Sequence, residues 1–337
     1  MHAPGALGAA TTDGDREKKG GVMGRLVNGE WVDQWYDTKA HGGRFERQSS
    51  AFRKWVRHRD REHPDPEHPA EPGRYRLYVS HACPWAHRTL IYRALKGLED
   101  ELAVTVVHPE MLEHGWEFRD GYEEPLFGAR YLYEIYLKAD PSYSGRVTVP
   151  VLFDQVKGTI VNNESSEIIR MLDEELGRGR GPDLRPIELR EEIDAINPRI
   201  YNDVNNGVYR AGFATTQEAY DEAVAGVFDA LDWLEARLDG KRFLVGERLT
   251  EADVRLFTTL VRFDPVYHYH FKCSRRRLRD YPRLWALTRR IYQMPRVRKT
   301  VHFDHIRRHY FYSHPTINPT RIIPIEPDID WDEPVAQ

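Results

Sequence analysis

Cysteine is nearly absent. The 337 residues contain two, Cys83 and Cys273. Two thiols far apart in sequence exclude a disulfide framework and offer no clustered cysteine site for a metal. Their scarcity fits a reducing cytoplasm. Long hydrophobic runs are also missing. No stretch reaches the ~18–20 apolar residues that a membrane helix needs, and the N-terminus has no apolar signal region. Charge of one sign is not in excess either: 49 Lys and Arg face 53 Asp and Glu. That balance removes the electrostatic footprint expected of a nucleic-acid binder. What is present in quantity is core-forming material. Apolar residues make up 40% and aromatic residues 12% of the chain, enough at this length for two domains.

Residues 1–22 are small, polar and aperiodic, and read as disordered or as an extension ahead of Met23. With the aromatic but aperiodic arm that follows, they form a flexible segment to about residue 45. The loop "HRDREHPDPEHPAEPGR", 58–74, is broken by proline, and its three histidines are expected in solvent. A regular pattern then begins. "RYRLYVS" (74–80) and "LAVTVVH" (102–108) read as strands flanking the helix "PWAHRTLIYRALKG" (84–97). A long insert rich in Trp, Tyr and Gly occupies 109–146. "TVPVLFD" (148–154), "GTIVNN" (158–163) and "SSEIIRMLDEEL" (165–176) add two strands and a helix. The order βαβ then ββα predicts a thioredoxin-like half over 46–180. From 181 to 312 only helical periodicity remains, so the second half is an α-helical bundle. The tail, 313–337, is Pro-rich, irregular and expected on the surface.

Cys83 falls where a strand gives way to a helix, with Pro84 at the first helical position. Free amides and the positive helix end there would lower the thiol pKa and make a nucleophile. Position 86 is Ala, so no neighbouring thiol can close a disulfide. Any oxidised intermediate must be a mixed disulfide with an external thiol. Val149–Pro150 opens a strand, where a cis peptide would leave the Val149 backbone free to pair with an extended ligand. In "NNESSEIIRML", Ser165 is the expected N-cap, and Glu164 beside it suits an ammonium. A group carrying both a carboxylate and an ammonium is the γ-glutamyl end of glutathione. Tyr209, Tyr267 and Tyr310 stand on segments rich in small and polar residues, where a phenol can serve a proton. Thr250 and Asp253 form a capping box, with Leu249 and Val254 as its hydrophobic staple. His268 and His270 are more plausibly structural than ligands, and no metal is expected. Cys273, with no helix start or proline beside it, reads as a structural or exposed thiol.

Taken in order, "CPWAHR", "GRVTVPVLFD", "NNESSEIIRML", "NNGVYRAGFATTQEAYDEAV", "LTEADVRL", "TTLVRFDPVYHYHFKC" and "YQMPRVRKTVHFDHIRRHYF" resemble the Xi-class glutathione transferases, the glutathionyl-hydroquinone reductases. The resemblance runs from about 24 to 320. It implies a thioredoxin-like domain followed by an all-helical domain, in a cytoplasmic homodimer. It puts the nucleophile on Cys83 and glutathione contacts on Trp116, Arg146, Val147, Thr148, Val149, Glu164 and Ser165. A proton-handling tyrosine falls on Tyr209, and Tyr267 and Tyr310 fall on positions that tune the thiol and line a quinone pocket. The implied substrate is a glutathionyl-hydroquinone, with glutathione as cosubstrate. γ-Glutamylcysteine would fit the same anchor. A conjugating or glutaredoxin-like transferase is the rival enzyme, and a non-catalytic binding module the rival outside enzymology.

Overall fold

The computed structural model describes residues 24–34 and 36–335, so the stretch 1–22 lies outside the described residues. A short hairpin, β1 (Arg25–Val27) and β2 (Glu30–Val32), comes first. It is tied to the rest by backbone bonds between Leu26 and Gly145. Then follow β3 (Tyr75–Val79), α1 (Pro84–Leu95), β4 (Ala103–Val106), α2 (Leu132–Ala139), β5 (Val151–Asp154), β6 (Thr159–Asn162) and α3 (Ser165–Met171). The sheet order is β4-β3-β5-β6, with β3 parallel to β4 and antiparallel to β5. This is the thioredoxin-like half that the pattern predicted. β5, "VLFD", is buried at all four positions. A strand covered on both faces reads as a continuous run rather than an alternation.

The helical half comprises α4 (Arg190–Arg199), α5 (Gly207–Gly212), α6 (Gln217–Arg237), α7 (Glu251–Leu260), α8 (His268–His270), α9 (Pro282–Tyr292), α10 (Pro295–Arg298) and α11 (Phe303–Ser313). The helical run through "DAINPRIYNDVNN" is not uniform. Pro198 lies in the last turn of α4, and the chain widens into a π-turn over Ile200–Asn205 before α5. A proline lacks the amide that would continue the regular ladder, and a local π adjustment is a common answer. The capping box at Thr250 starts α7 as expected, and Asp253 also accepts the Leu244 amide at 2.8 Å. No helix among the described residues is long and apolar enough to cross a membrane.

α1 is the hinge of the architecture. It packs against α3 on its own side and against α7 and α10 on the other. Ten of its twelve residues are buried, consistent with a helix covered nearly all round. Two ion pairs join the halves or brace the joint: the buried pair Lys96 with Asp173 at 2.7 Å, and half-buried Arg170 of α3 with buried Glu251 of α7 at 2.9 Å.

The insert 109–146, to which the sequence pattern assigns no element, contains α2. The Tyr136 hydroxyl donates to the Thr148 carbonyl at 2.8 Å and accepts from the Thr148 amide and from Asn163. The insert thus braces the loop before Pro150. The histidines of 58–74 do not all face water. His68 is fully buried, with Nδ1 2.9 Å from Asp154 Oδ2, a carboxylate that also binds Arg74 at 2.8 Å. The proline-broken loop folds back onto the sheet, which local spacing does not reveal. The tail beyond α11 is pinned by Trp331 against Trp285, Tyr292 and Phe303.

Candidate active site

Cys83 is the N-cap of α1, with extended backbone, and Pro84 follows at the first helical position. Its Sγ lies 3.5 Å from the Val149 carbonyl, and the Val149–Pro150 peptide is cis. The cap position is therefore as predicted, but its effect on the thiol is not. Burial pushes the Cys83 thiol up. The amides of Ala86 and Trp85 and the guanidinium groups of Arg262 and Arg47 oppose this without overcoming it. A helix N-terminus favours the thiolate only as far as desolvation permits. Cys273 is fully buried, and burial raises its thiol to about 12, which marks it as structural.

Two adjoining cavities meet beside Cys83. One, about 310 Å³, is polar and is lined by Ser50, Arg146, Thr148, Asn163, Glu164 and Ser165, among others. The other, about 120 Å³, is aromatic and contains Cys83, with Trp116, Val147, Tyr209, His309 and Tyr310 in its wall. Tyr36, Arg47, Trp85, Arg146, Thr148 and Val149 line both. The cleft thus offers one extended polar end and one flat apolar end, with the thiol in the second.

At the polar end the expected cap is displaced by one residue. Glu164, not Ser165, is the N-cap of α3, and its carboxylate accepts the Ser166 amide at 3.0 Å. Ser165 is the first helical residue, and its hydroxyl accepts from Arg88 at 3.3 Å. The Glu164 side chain satisfies the helix start itself, so the serine is released. Burial raises the Glu164 carboxyl. The Ser166 amide and hydroxyl, the Ser50 hydroxyl and the Arg88 charge outweigh it and hold the group below the usual carboxylate range. It therefore presents a fixed negative charge to the cavity. Arg146, at the other side, stacks over Tyr36 at 4.0 Å and donates to the Gly24 carbonyl at 3.2 Å.

At the aromatic end the three tyrosines come together from three segments. The hydroxyl of Tyr310 in α11 lies 2.5 Å from that of Tyr209 in α5 and 2.9 Å from that of Tyr267. Only Tyr209 and Tyr310 reach the cavity wall; Tyr267 acts from behind, through Tyr310. Burial, and then the proximity of Cys83, pushes the Tyr209 phenol up to about 12, and burial raises Tyr267 and Tyr310 as well. All three remain protonated at neutral pH and keep a proton to donate. Trp116 stacks on His309 with ring centres 4.8 Å apart and lines only the aromatic cavity.

Sequence reasoning passed over Arg47 and Ser50, just past the arm. The Arg47 guanidinium lies over Trp85 at 4.9 Å and over Tyr209 at 5.0 Å, bridging both cavities. Neither residue sits in a periodic segment, so no local signal marked them. Among the described residues no group of three His, Cys, Asp or Glu is placed to hold a metal. His270 instead pairs with His314 at 3.0 Å.

Known proteins place this geometry in a lineage. The glutathione S-transferase N-terminal domain family matches residues 82–175, and its C-terminal counterpart matches 217–290. The glutathionyl-hydroquinone reductase YqjG of Escherichia coli is 57% identical over 321 residues, covering 93% of this chain and 98% of that one. The glutathionyl-hydroquinone reductase PcpF of Sphingobium chlorophenolicum is 53% identical, covering 90% and 96%. The solved Xi-class transferase of Natrialba magadii superposes with a TM-score of 0.88 at 48% identity, covering 94% of this chain and 98% of that one. The glutathione-bound structure of YqjG superposes at 0.83 with 53% identity, covering 93% and 98%. Likeness of this extent, over both halves and the cleft between them, is what family membership means: the chain belongs to the Xi-class glutathione transferases, the family of the glutathionyl-hydroquinone reductases.

Proposed function

We propose that the protein reduces glutathionyl-hydroquinones, with Cys83 as nucleophile and glutathione as cosubstrate. The observation that carries this reading is a lone thiol at the junction of two cavities of different character. The polar one suits a zwitterionic peptide, and the aromatic one suits a flat ring. The Cys83 thiolate attacks the sulfur of the thioether. The carbon–sulfur bond breaks, its electron pair stays on the ring carbon, and that carbon takes a proton. Hydroquinone leaves and a Cys83–glutathione disulfide remains. The thiolate of a second glutathione attacks that disulfide, which releases oxidised glutathione and restores the Cys83 thiolate. Two sulfurs are oxidised and one ring carbon is reduced, so the electrons balance.

In this reading Glu164 takes the γ-glutamyl ammonium and the start of α3 its carboxylate, while Arg146 takes the glycine carboxylate. Val149 pairs with the peptide backbone, flanked by Val147 and Thr148, and Trp116 covers the thioether. Single turnover with limiting glutathione tests the core step: mass spectrometry should find glutathione on Cys83. Its absence while hydroquinone forms would remove the scheme.

Two variants separate the roles. Glu164→Gln keeps an oxygen for the Ser166 amide, loses the charge, and turns the acceptor facing Ser50 into an amide donor that the serine hydroxyl can accept. Loss of one charged hydrogen bond, about 1.5–3 kcal/mol, should raise the KM for glutathione roughly tenfold to hundredfold with kcat little changed. An unchanged KM would place the ammonium elsewhere. Tyr209→Phe removes the phenol that the Cys83 charge acts on and should cost about a hundredfold in kcat if it serves the proton. Tyr267→Phe, behind the cavity wall, should cost much less. Equal losses would contradict that assignment. The reading also carries a homodimer in a reducing cytoplasm; sedimentation at the mass of one chain, 39.5 kDa, would contradict the dimer.

A further inference from the structure

A buried cation lies beneath the thiol loop. Arg262, just past α7, is fully buried. Its Nε donates to the Ala82 carbonyl at 2.9 Å and one terminal nitrogen donates to the His81 carbonyl at 3.2 Å. The other terminal nitrogen donates to the Thr258 carbonyl at 2.7 Å and to His87 Nδ1 at 3.0 Å. All four acceptors are neutral. Lys96 and Arg255, also buried in the joint, meet the carboxylates of Asp173 and Glu251, whereas Arg88 is held, like Arg262, by neutral acceptors, Ser165 and Asn205. Burying a charge without a counter-charge is expensive, and such groups are rarely kept unless something compensates.

Two of the acceptors are the carbonyls of the residues immediately before Cys83, so the guanidinium sets the backbone from which the thiol projects. His87 explains how it is held. Because Nδ1 accepts from Arg262, the ring proton must be on Nε2, which donates to Thr300 Oγ1 at 2.9 Å; that hydroxyl in turn donates to the Val297 carbonyl. Burial, and then the Arg262 charge, keeps His87 neutral. The histidine of "CPWAH" is therefore part of a clamp on an arginine and is turned away from the reaction.

We infer that Arg262 is a positioning residue for Cys83, fixing its loop through the carbonyls of His81 and Ala82 and serving as the buried counter-charge of the thiolate. This rests on Cys83 being the reacting thiol. The thiolate is the anion that Arg262 otherwise lacks, and both groups are buried, where Coulomb attraction is stronger than in water. The Arg262 charge is among the groups that draw the thiol pKa down against burial.

The test is the pH dependence of Cys83 alkylation by iodoacetamide, read on the Cys83 peptide by mass spectrometry in the full-length protein. Other ionisable groups facing the thiol leave this window clear. Tyr209 sits at about 12 and Tyr310 is raised; His309 is at about 4 and His81 at about 3. Arg47 and Arg146 bring guanidinium groups to the same cavity. Arg262→Gln should move the midpoint up by about one pH unit, a tenfold slower alkylation at neutral pH. Arg262→Lys keeps the charge and should move it by less than about half that, while losing the fork that spans the loop carbonyls. An unmoved midpoint in Arg262→Gln, or an equal rise in both variants, overturns the proposal. If Arg262→Gln does not fold, Arg262→Lys decides: a full-unit rise overturns it, and a near-native midpoint supports it. The assay does not use thioether turnover. Activity retained in Cys83→Ser would remove the proposed function without touching this measurement.

Discussion

Cys83→Ser is expected to lower turnover of glutathionyl-menadione by about a thousandfold or more, the scale of losing a nucleophile outright. A serine hydroxyl in the same place cannot form the disulfide on which the second half-reaction depends. No other thiol can stand in, because Cys273 is buried and its proton is held to about 12. The loss should fall on kcat, with glutathione still binding the polar cavity at nearly the native affinity. The wild-type rate should also climb with pH, close to tenfold per unit below the thiol midpoint, because burial holds Cys83 protonated and only the thiolate attacks. A flat profile from pH 6 to 8, or near-native activity in the serine variant, would show that sulfur attack by Cys83 is not the reaction.

Glu251→Gln is expected to destabilise the fold by about 3–5 kcal/mol, the usual cost of breaking a buried ionic network from one side. Glu251 is fully buried at the start of α7. Its carboxylate accepts from Arg170 at 2.9 and 3.0 Å, from Arg255 at 3.1 Å and from Asn197 at 2.9 Å. Glutamine fills the same space but cannot neutralise two guanidinium groups. Asp194, 2.7 Å from Arg170, answers only one of them. The network links α3, whose start carries Glu164, to the helical half. Loosening it should therefore raise the KM for glutathione as well. Urea unfolding reads the first effect as a lower midpoint at unchanged slope. A loss under about 1 kcal/mol would mean that the network is no stronger than an exposed pair.

Much of the site was legible because it is locally encoded. A strand, a cysteine and a proline before a helix define an N-cap wherever the chain goes afterwards, and Cys83 is one. Val149–Pro150 and the Thr250–Asp253 box are of the same kind. The displaced cap at α3 shows the limit of that reading. "ESSE" puts serine, a preferred cap, directly after Glu164, yet Glu164 takes the cap, and its carboxylate also accepts from Ser50, more than a hundred residues away. The arm, lacking periodicity, gave no hint that it lines both cavities.

The sequence by itself determined the two-part fold, the lone thiol at a helix start and the three tyrosines as candidates. Periodicity, capping and turn chemistry depend on neighbours within a few positions. Tertiary structure decided how those groups behave. It joined the three phenols into one chain of hydroxyls, buried His68 on Asp154, and set Arg262 under the thiol loop. It also reversed the expected lowering of the Cys83 pKa. Desolvation and unpaired charge belong to the whole surroundings of an atom, and those exist only once distant segments have packed around it.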